Sequence, residues 1–248
     1  MKGARVLLFV ATAALLPSAV RPAAAQEWQF HGAAYAWLAG LDGTIGAGPA
    51  GGGQPVEASF DDLASYIDFA AAGHFEARNA KIVLLTDINY VGLGAERDAE
   101  VGGVPVTIDM DYDQWIIEAG GGYRISENFD ALLVGRYYIQ DLGGTVTGIG
   151  GDESGETSHK WADVYVGGRY SNVLGDKWLV SVRGDVGFGG SDIAWFGNAL
   201  VGYRLGKTLS LGLAYRVLSL DYETGEGVDY YKYDVTMDGV GLVLGIGL

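Results

Sequence analysis

Trp115-Ile116-Ile117-Glu118-Ala119-Gly120-Gly121-Gly122-Tyr123-Arg124 is followed by the turn Ile125-Ser126-Glu127-Asn128 and by Phe129-Asp130-Ala131-Leu132-Leu133-Val134-Gly135-Arg136-Tyr137. Taken in steps of two, one phase of each arm holds only apolar residues and glycine and begins and ends in a ring: Trp115 to Tyr123, then Phe129 to Tyr137. The other phase collects Glu118, Arg124, Asp130 and Arg136. A period of two is that of a strand with unlike faces, and Ser-Glu-Asn is turn chemistry, so this stretch is a β-hairpin. The rings on each arm stand eight residues apart. At about 3.3 Å per residue and a tilt of about 40°, that interval climbs roughly 20 Å, close to the apolar band of a membrane-spanning barrel. Trp195 and Tyr203 repeat it.

Outward from this hairpin, the same alternation marks ten segments. They are Trp28 to Leu41, Phe69 to Ala77, Lys81 to Leu93, Val104 to Arg124, Phe129 to Thr145, Lys160 to Tyr170, Trp178 to Gly189, Ile193 to Leu205, Leu209 to Glu223 and Tyr231 to Leu248. Tight turns at Arg78 to Lys81, Ser126 to Asn128, Val173 to Asp176 and Gly206 to Thr208 alternate with connections that include the longer Gly43 to Tyr66, Ala95 to Gly103 and Gly144 to Ser158. An even strand number with short turns at one end predicts a closed antiparallel up-and-down transmembrane β-barrel, all-β, of about ten strands. A soluble sandwich or lipocalin-like barrel would bury the apolar face instead, but has no reason to repeat the eight-residue ring interval. Trp115, Tyr123, Phe129, Tyr137, Trp195 and Tyr203 are therefore the expected aromatic girdle. Gly-Tyr-Arg-like strand ends recur at Gly121 to Arg124, Val134 to Tyr137, Gly167 to Tyr170, Val201 to Arg204 and Leu213 to Arg216.

The opposite phase predicts a polar lumen. It carries Glu76 and Asp87 on early strands, Glu118, Asp130, Arg136, Asp163 and Arg169 on middle ones, and Arg183, Asp185, Arg204 and Arg216 on late ones, with His74 beside Glu76. Arginines and carboxylates of comparable number predict pairing: Arg136 or Arg169 with Asp163, and Arg183 with Asp185 or a cross-strand acid. Paired charges in a barrel of this width close the lumen, favouring an occluded barrel or a very narrow channel over a general porin. In the first long loop, Ser59 with Asp62 three residues on matches a capping box, and Phe60, Leu63 and Ile67 share a helical face. A short helix there either plugs the mouth or packs on the rim.

Composition supports the same class. There are 41 glycines among 248 residues, well above the usual share of about 7 %, without a collagen period, and glycine within strands makes room for bulky lumen neighbours. Absence of cysteine excludes disulfides and thiolate chemistry. Residues 1–25 carry Lys2, Arg5, an apolar run and Ala23-Ala24-Ala25, the pattern of a cleaved signal peptide, which leaves 26–248 as the barrel domain. Removing 1–25 takes away three bases and no acid, so the formal charge moves from −15 to −18. Nucleic acid is excluded as a partner on that charge.

By the leader, the strand count, the girdle, the repeated strand ends and the final strand Val240 to Leu248, the chain resembles the small outer-membrane β-barrel proteins of Gram-negative bacteria, the OmpA/OmpX-like superfamily, over Trp28 to Leu248. The resemblance implies residence in the bacterial outer membrane, contact with its lipid and lipopolysaccharide, and insertion by the barrel-assembly machinery through the last strand. Many such proteins end in Phe; this one ends in Leu248.

Chemistry is sparse. His31, His74 and His159 are the only histidines. His159 is the better placed for catalysis, at the outer rim near Glu153, Ser154, Glu156 and Ser158, but loop solvation explains the group equally well. Asp109, Asp111 and Asp113 lie on one side of a strand, with a bulge expected near Asp113 where the polar phase moves to Gln114 and Glu118. They lack the pattern of a calcium loop. The expectation is a barrel without catalytic residues, metal or cofactor and with a structural, interaction or small-solute role; a narrow channel is the alternative and a rim enzyme a more distant one.

Overall fold

Residues with one apolar and one polar phase can satisfy both only as extended chain, and the chain is extended almost throughout. The computed structural model describes residues 27–49, 52–101, 104–148 and 151–247, so the expected leader and the terminal Leu248 lie outside it. The elements are β1 (Gln29–Ala47), β2 (Gln54–Ala58), α1 (Phe60–Ala64), β3 (Ile67–Arg78), β4 (Ile82–Val101), β5 (Val104–Arg124), β6 (Phe129–Gly148), β7 (Gly151–Leu174), β8 (Trp178–Gly189), β9 (Ile193–Arg204), β10 (Leu209–Thr224) and β11 (Tyr231–Gly247). From β3 onward each strand pairs antiparallel with the next, and β11 returns to β1 from His31↔Gly247 to Ala47↔Tyr231. The ring is closed, which leaves no sheet edge to face lipid.

Ten strands make the wall. The eleventh, β2, pairs only with β1, Leu41 to Ile45, above the point where β3 leaves it. The apolar phase faces outward: Ile82, Leu84 and Ile88 on β4, Leu133 on β6, Val182 and Val186 on β8, and Leu209, Leu211 and Leu213 on β10 are all exposed. On a soluble protein such a band would be an aggregation surface; around a closed barrel it is the lipid-facing belt. Trp115, Tyr123, Phe129, Tyr137 and Trp195 are exposed on it, while Tyr203 is half-buried against Trp178 at 5.0 Å.

Two expectations change. Ala95 to Gly103 and Gly144 to Ser158, read as loops, are largely strand: β4 and β5 pair to Val101↔Val104, and β6 and β7 to Gly148↔Gly151. Above the membrane both faces meet water, so the ladder continues after the alternation that marks it has gone. The bulge near Asp113 is absent, the register of β5 being unbroken against both neighbours. Asp109, Asp111 and Asp113 share the outward face of Trp115 and lie above it, so the polarity changes with the surroundings and the register does not. The observed irregularity is between Ile67 and Phe69 on β3.

Candidate functional site: a filled lumen and an acidic outer sheet

Inward side chains sort into two layers. In the half nearer the tight turns, charges are paired. Glu118 accepts from Arg136 Nε (2.6 Å) and from Arg183 Nη1 (2.8 Å). Asp185 meets Arg183 at 2.7 Å and Arg136 at 3.5 Å, which closes a ring of two acids and two bases. Nearer the turns, Arg169 joins Glu76 to Asp130, and Arg78 lies 3.4 Å from Glu76 and 3.5 Å from Asp130. Arg124 reaches Asp130 at 3.5 Å. Asp87 accepts from Tyr35 (2.7 Å) and Arg216 (3.4 Å) and sits 3.2 Å from His74 Nδ1. Charges so enclosed persist only when paired and hydrogen-bonded. The guanidinium of Arg136 is also sandwiched between the rings of Tyr165 and Phe196, at 4.2 and 4.1 Å.

The outer half of the lumen is apolar and aromatic. Trp161 stacks on Tyr222 at 4.1 Å and on Tyr138 at 4.9 Å, and the hydroxyls of Tyr138 and Tyr165 lie 2.6 Å apart. Gln114 donates to Tyr233, and Tyr231 donates to Gln140 (2.6 Å). Ile116, Leu218, Leu220, Val235 and Met237 fill the space between, while Val83, Leu85, Leu132 and Val134 line the lumen on the tight-turn side of Glu118. Sequence reasoning missed these inward apolar residues, although Val83 and Leu85 are in phase with Asp87, and Leu218 and Leu220 with Arg216. Tyr35 and Arg78 were missed as well. Tyr138, Tyr165 and Leu218 are 0 % exposed and Arg136 is 2 % exposed, so these side chains line no water-filled passage.

Other expected residues stand elsewhere. Asp163 faces Arg136 in register but pairs with neither Arg136 nor Arg169; it accepts from the Ser191 backbone N–H (2.8 Å) and hydroxyl (2.7 Å) and so fastens the β8–β9 turn. Arg204 is exposed at the tight-turn end and has no ion-pair partner among the described residues. Around α1, the Ser59–Asp62 capping box is formed, and hydrogen bonding to Ser59 holds the Asp62 carboxyl below its ordinary pKa. Phe60 and Leu63 are half-buried, no residue of the helix is fully buried, and its neighbours are β1 and β2. It is a rim helix and not a plug: the returning chain passes against Gly40 on the outward face of β1, where an added Cβ would sit 2.9 Å from the Ala58 carbonyl. Ile67 lies beyond the helix, at the start of β3. His159 stacks on Tyr231 at 3.6 Å, and its Nε2 is 3.3 Å from the Thr157 hydroxyl; this burial lowers its pKa. No carboxylate contacts it among the described residues.

Beyond the aromatic row, β4 to β7 continue as a four-stranded sheet. It bears Glu96, Asp98, Glu100, Asp109, Asp111, Asp113, Asp141, Asp152, Glu153 and Glu156 against only Arg97 and Lys160. Among the described residues no group of His, Asp or Glu is placed to hold a metal. A 650 Å³ groove crosses its outward face past Asp68, Asp111, Asp113 and Asp141 to Glu156 on β7. β7 pairs with β8 only from Asp163 downward, so its upper part has one edge without a strand partner among the described residues.

A closed up-and-down barrel, apolar outside, charged and filled within, with rings at its edges, defines a small transmembrane β-barrel of the bacterial outer-membrane type. No family model and no curated protein matches the chain. Among solved structures, it is similar to Ail, the attachment invasion locus protein of Yersinia pestis, solved with the heparin analogue sucrose octasulfate: 12% identity and TM-score 0.41, covering 90% of this chain and 100% of that one. It is also similar to the translocator domain of the autotransporter NalP from Neisseria meningitidis (12%, TM-score 0.36, 89% and 87%) and to the outer membrane protease OmpT from Escherichia coli (11%, TM-score 0.34, 88% and 95%).

Proposed function

We propose that the protein is a non-conducting outer-membrane anchor that acts through its extracellular face, an interaction barrel and neither a pore nor an enzyme. The near-zero exposure of Arg136, Tyr138, Tyr165 and Leu218 across the lumen carries this reading. It leaves the long-hairpin end as the surface through which the protein meets its surroundings, with lipopolysaccharide around the belt and the barrel-assembly machinery as its partner in biogenesis. His159, stacked and without a carboxylate, has none of the support a general base needs. The test is conductance of the refolded barrel in a planar bilayer, with folding checked by a heat-shifted gel band. Silence is expected. Steady single-channel current from folded protein would overturn the reading in favour of a narrow channel.

A further inference from the structure

The sheet above the membrane ends in an edge whose polarity and geometry are both defined. The last backbone bond from the β8–β9 side to β7 is the Gly190 N–H donating to the Ala162 carbonyl. Backbone groups alternate sides along a strand, so the even-numbered residues above Ala162 aim their N–H and C=O at the side that has no strand partner among the described residues. These are Lys160, Ser158, Glu156, Ser154 and Asp152, all exposed. Such an edge is a template for strand addition. A second copy is a poor occupant, because it would bring its own acidic edge against this one. A cation is favoured. A strand laid beside β7 would place alternate side chains over the outward face, where Glu156 closes the groove lined by Asp68, Asp111, Asp113 and Asp141.

We propose that this edge of β7 captures an extended, lysine- or arginine-rich peptide segment, which adds as a fifth strand with its basic residues at every second position on the groove side. The proposal rests on the interaction-barrel reading and names its partner class. Acidity alone would attract any cation; the row of unpaired backbone groups supplies direction and register.

The test is amide hydrogen exchange, read by NMR on the refolded barrel in detergent micelles, with two ten-residue probes: one alternating lysine and threonine, the other alternating glutamate and threonine. With the lysine probe, exchange at Asp152, Ser154, Glu156, Ser158 and Lys160 should slow by roughly tenfold or more. The protection should fade as salt rises from about 0.1 M to about 1 M, where the screening length falls from about 10 Å to about 3 Å. Ser154→Pro removes one edge N–H and leaves the β6 ladder intact, so it should weaken the protection without unfolding the sheet. Equal protection by both probes would overturn the cationic assignment and keep the edge as a docking site. Lysine-probe binding without protection of these amides would overturn strand addition. Failure of both probes to bind a correctly folded barrel would overturn the proposal, while bilayer silence would leave the non-conducting reading standing.

Discussion

Glu118 holds two arginines at once and is 3 % exposed, so its removal strands Arg136 and Arg183 together inside the barrel. Breaking a buried pair by deleting one partner costs about 3–5 kcal/mol, mostly from the uncompensated charge left behind. Glu118→Ala should therefore lower the unfolding free energy of the refolded barrel, read from urea titration, by an amount in that range, whereas Arg204→Ala should leave it near the wild-type value. Asp62 gives a local pH effect. Its carboxyl lies below the ordinary value because Ser59 donates to the ionised form. The capping interaction is thus fully present above the unfolded-state pKa and is lost as pH falls through the lowered folded one. NMR titration should place the Asp62 midpoint below about 3.9, with the Ser59 amide shift following the same curve; a midpoint at or above that value would remove the capping account.

At the scale of elements, glycines set how closely side chains can layer. Gly187 on β8 lies against the Tyr165 ring, and a Cβ there would stand 2.6 Å from it. Tyr165 also flanks Arg136, so it cannot retreat without opening the ion ring. Gly187→Val should cost about 1–3 kcal/mol, as overpacking commonly does, seen as a lower temperature for loss of the heat-shifted band. The outer ribbon behaves differently. Thr157 is odd-numbered and directs its N–H toward Leu142 on β6, so Thr157→Pro should speed amide exchange in the upper β6–β7 ladder and leave the membrane-embedded barrel folded. The ribbon was illegible as strand because alternation needs two unlike solvents. Asp152, Glu153, Ser154 and Glu156 face water on both sides and carry no period. Strands across the lipid were legible because lipid and lumen impose opposite demands on adjacent residues.

For the whole molecule, the proposed non-conducting state rests on two layers in series: the ion ring around Glu118 and the aromatic layer around Trp161 and Tyr138. Replacing Glu118, Arg136, Arg183 and Asp185 together by serine should leave the barrel silent in a planar bilayer, because the outer layer remains. Adding Tyr138→Ala and Trp161→Ala should produce current. Conductance from the first variant alone would show that the aromatic layer is no seal. Charge is distributed with similar asymmetry. Six carboxylates, Glu76, Asp87, Glu118, Asp130, Asp163 and Asp185, share the lumen with six arginines, Arg78, Arg124, Arg136, Arg169, Arg183 and Arg216. The tight-turn end holds Lys81, Lys177, Arg204 and Lys207 against Glu27, Glu127 and Asp176. The large negative excess of the chain therefore stands at the extracellular end, where it steers cations toward the free edge of β7.

The sequence by itself determined the class of structure: period-two alternation, rings eight residues apart and tight turns at one end admit few solutions other than a closed membrane barrel. It also determined which residues point inward, since facing depends only on parity along one strand. Tertiary structure alone decided which of them meet. Glu76 reaches Arg169 and Tyr35 reaches Arg216 across 93 and 181 residues of chain. Those partners are chosen by the register of ten strands around a closed circumference, which no local pattern encodes. Asp163 turns to Ser191 because the β8–β9 turn passes above it, and α1 rests on the rim because Gly40 leaves space there. The aromatic layer forms because side chains from well-separated strands converge on one axis, a consequence of closure itself.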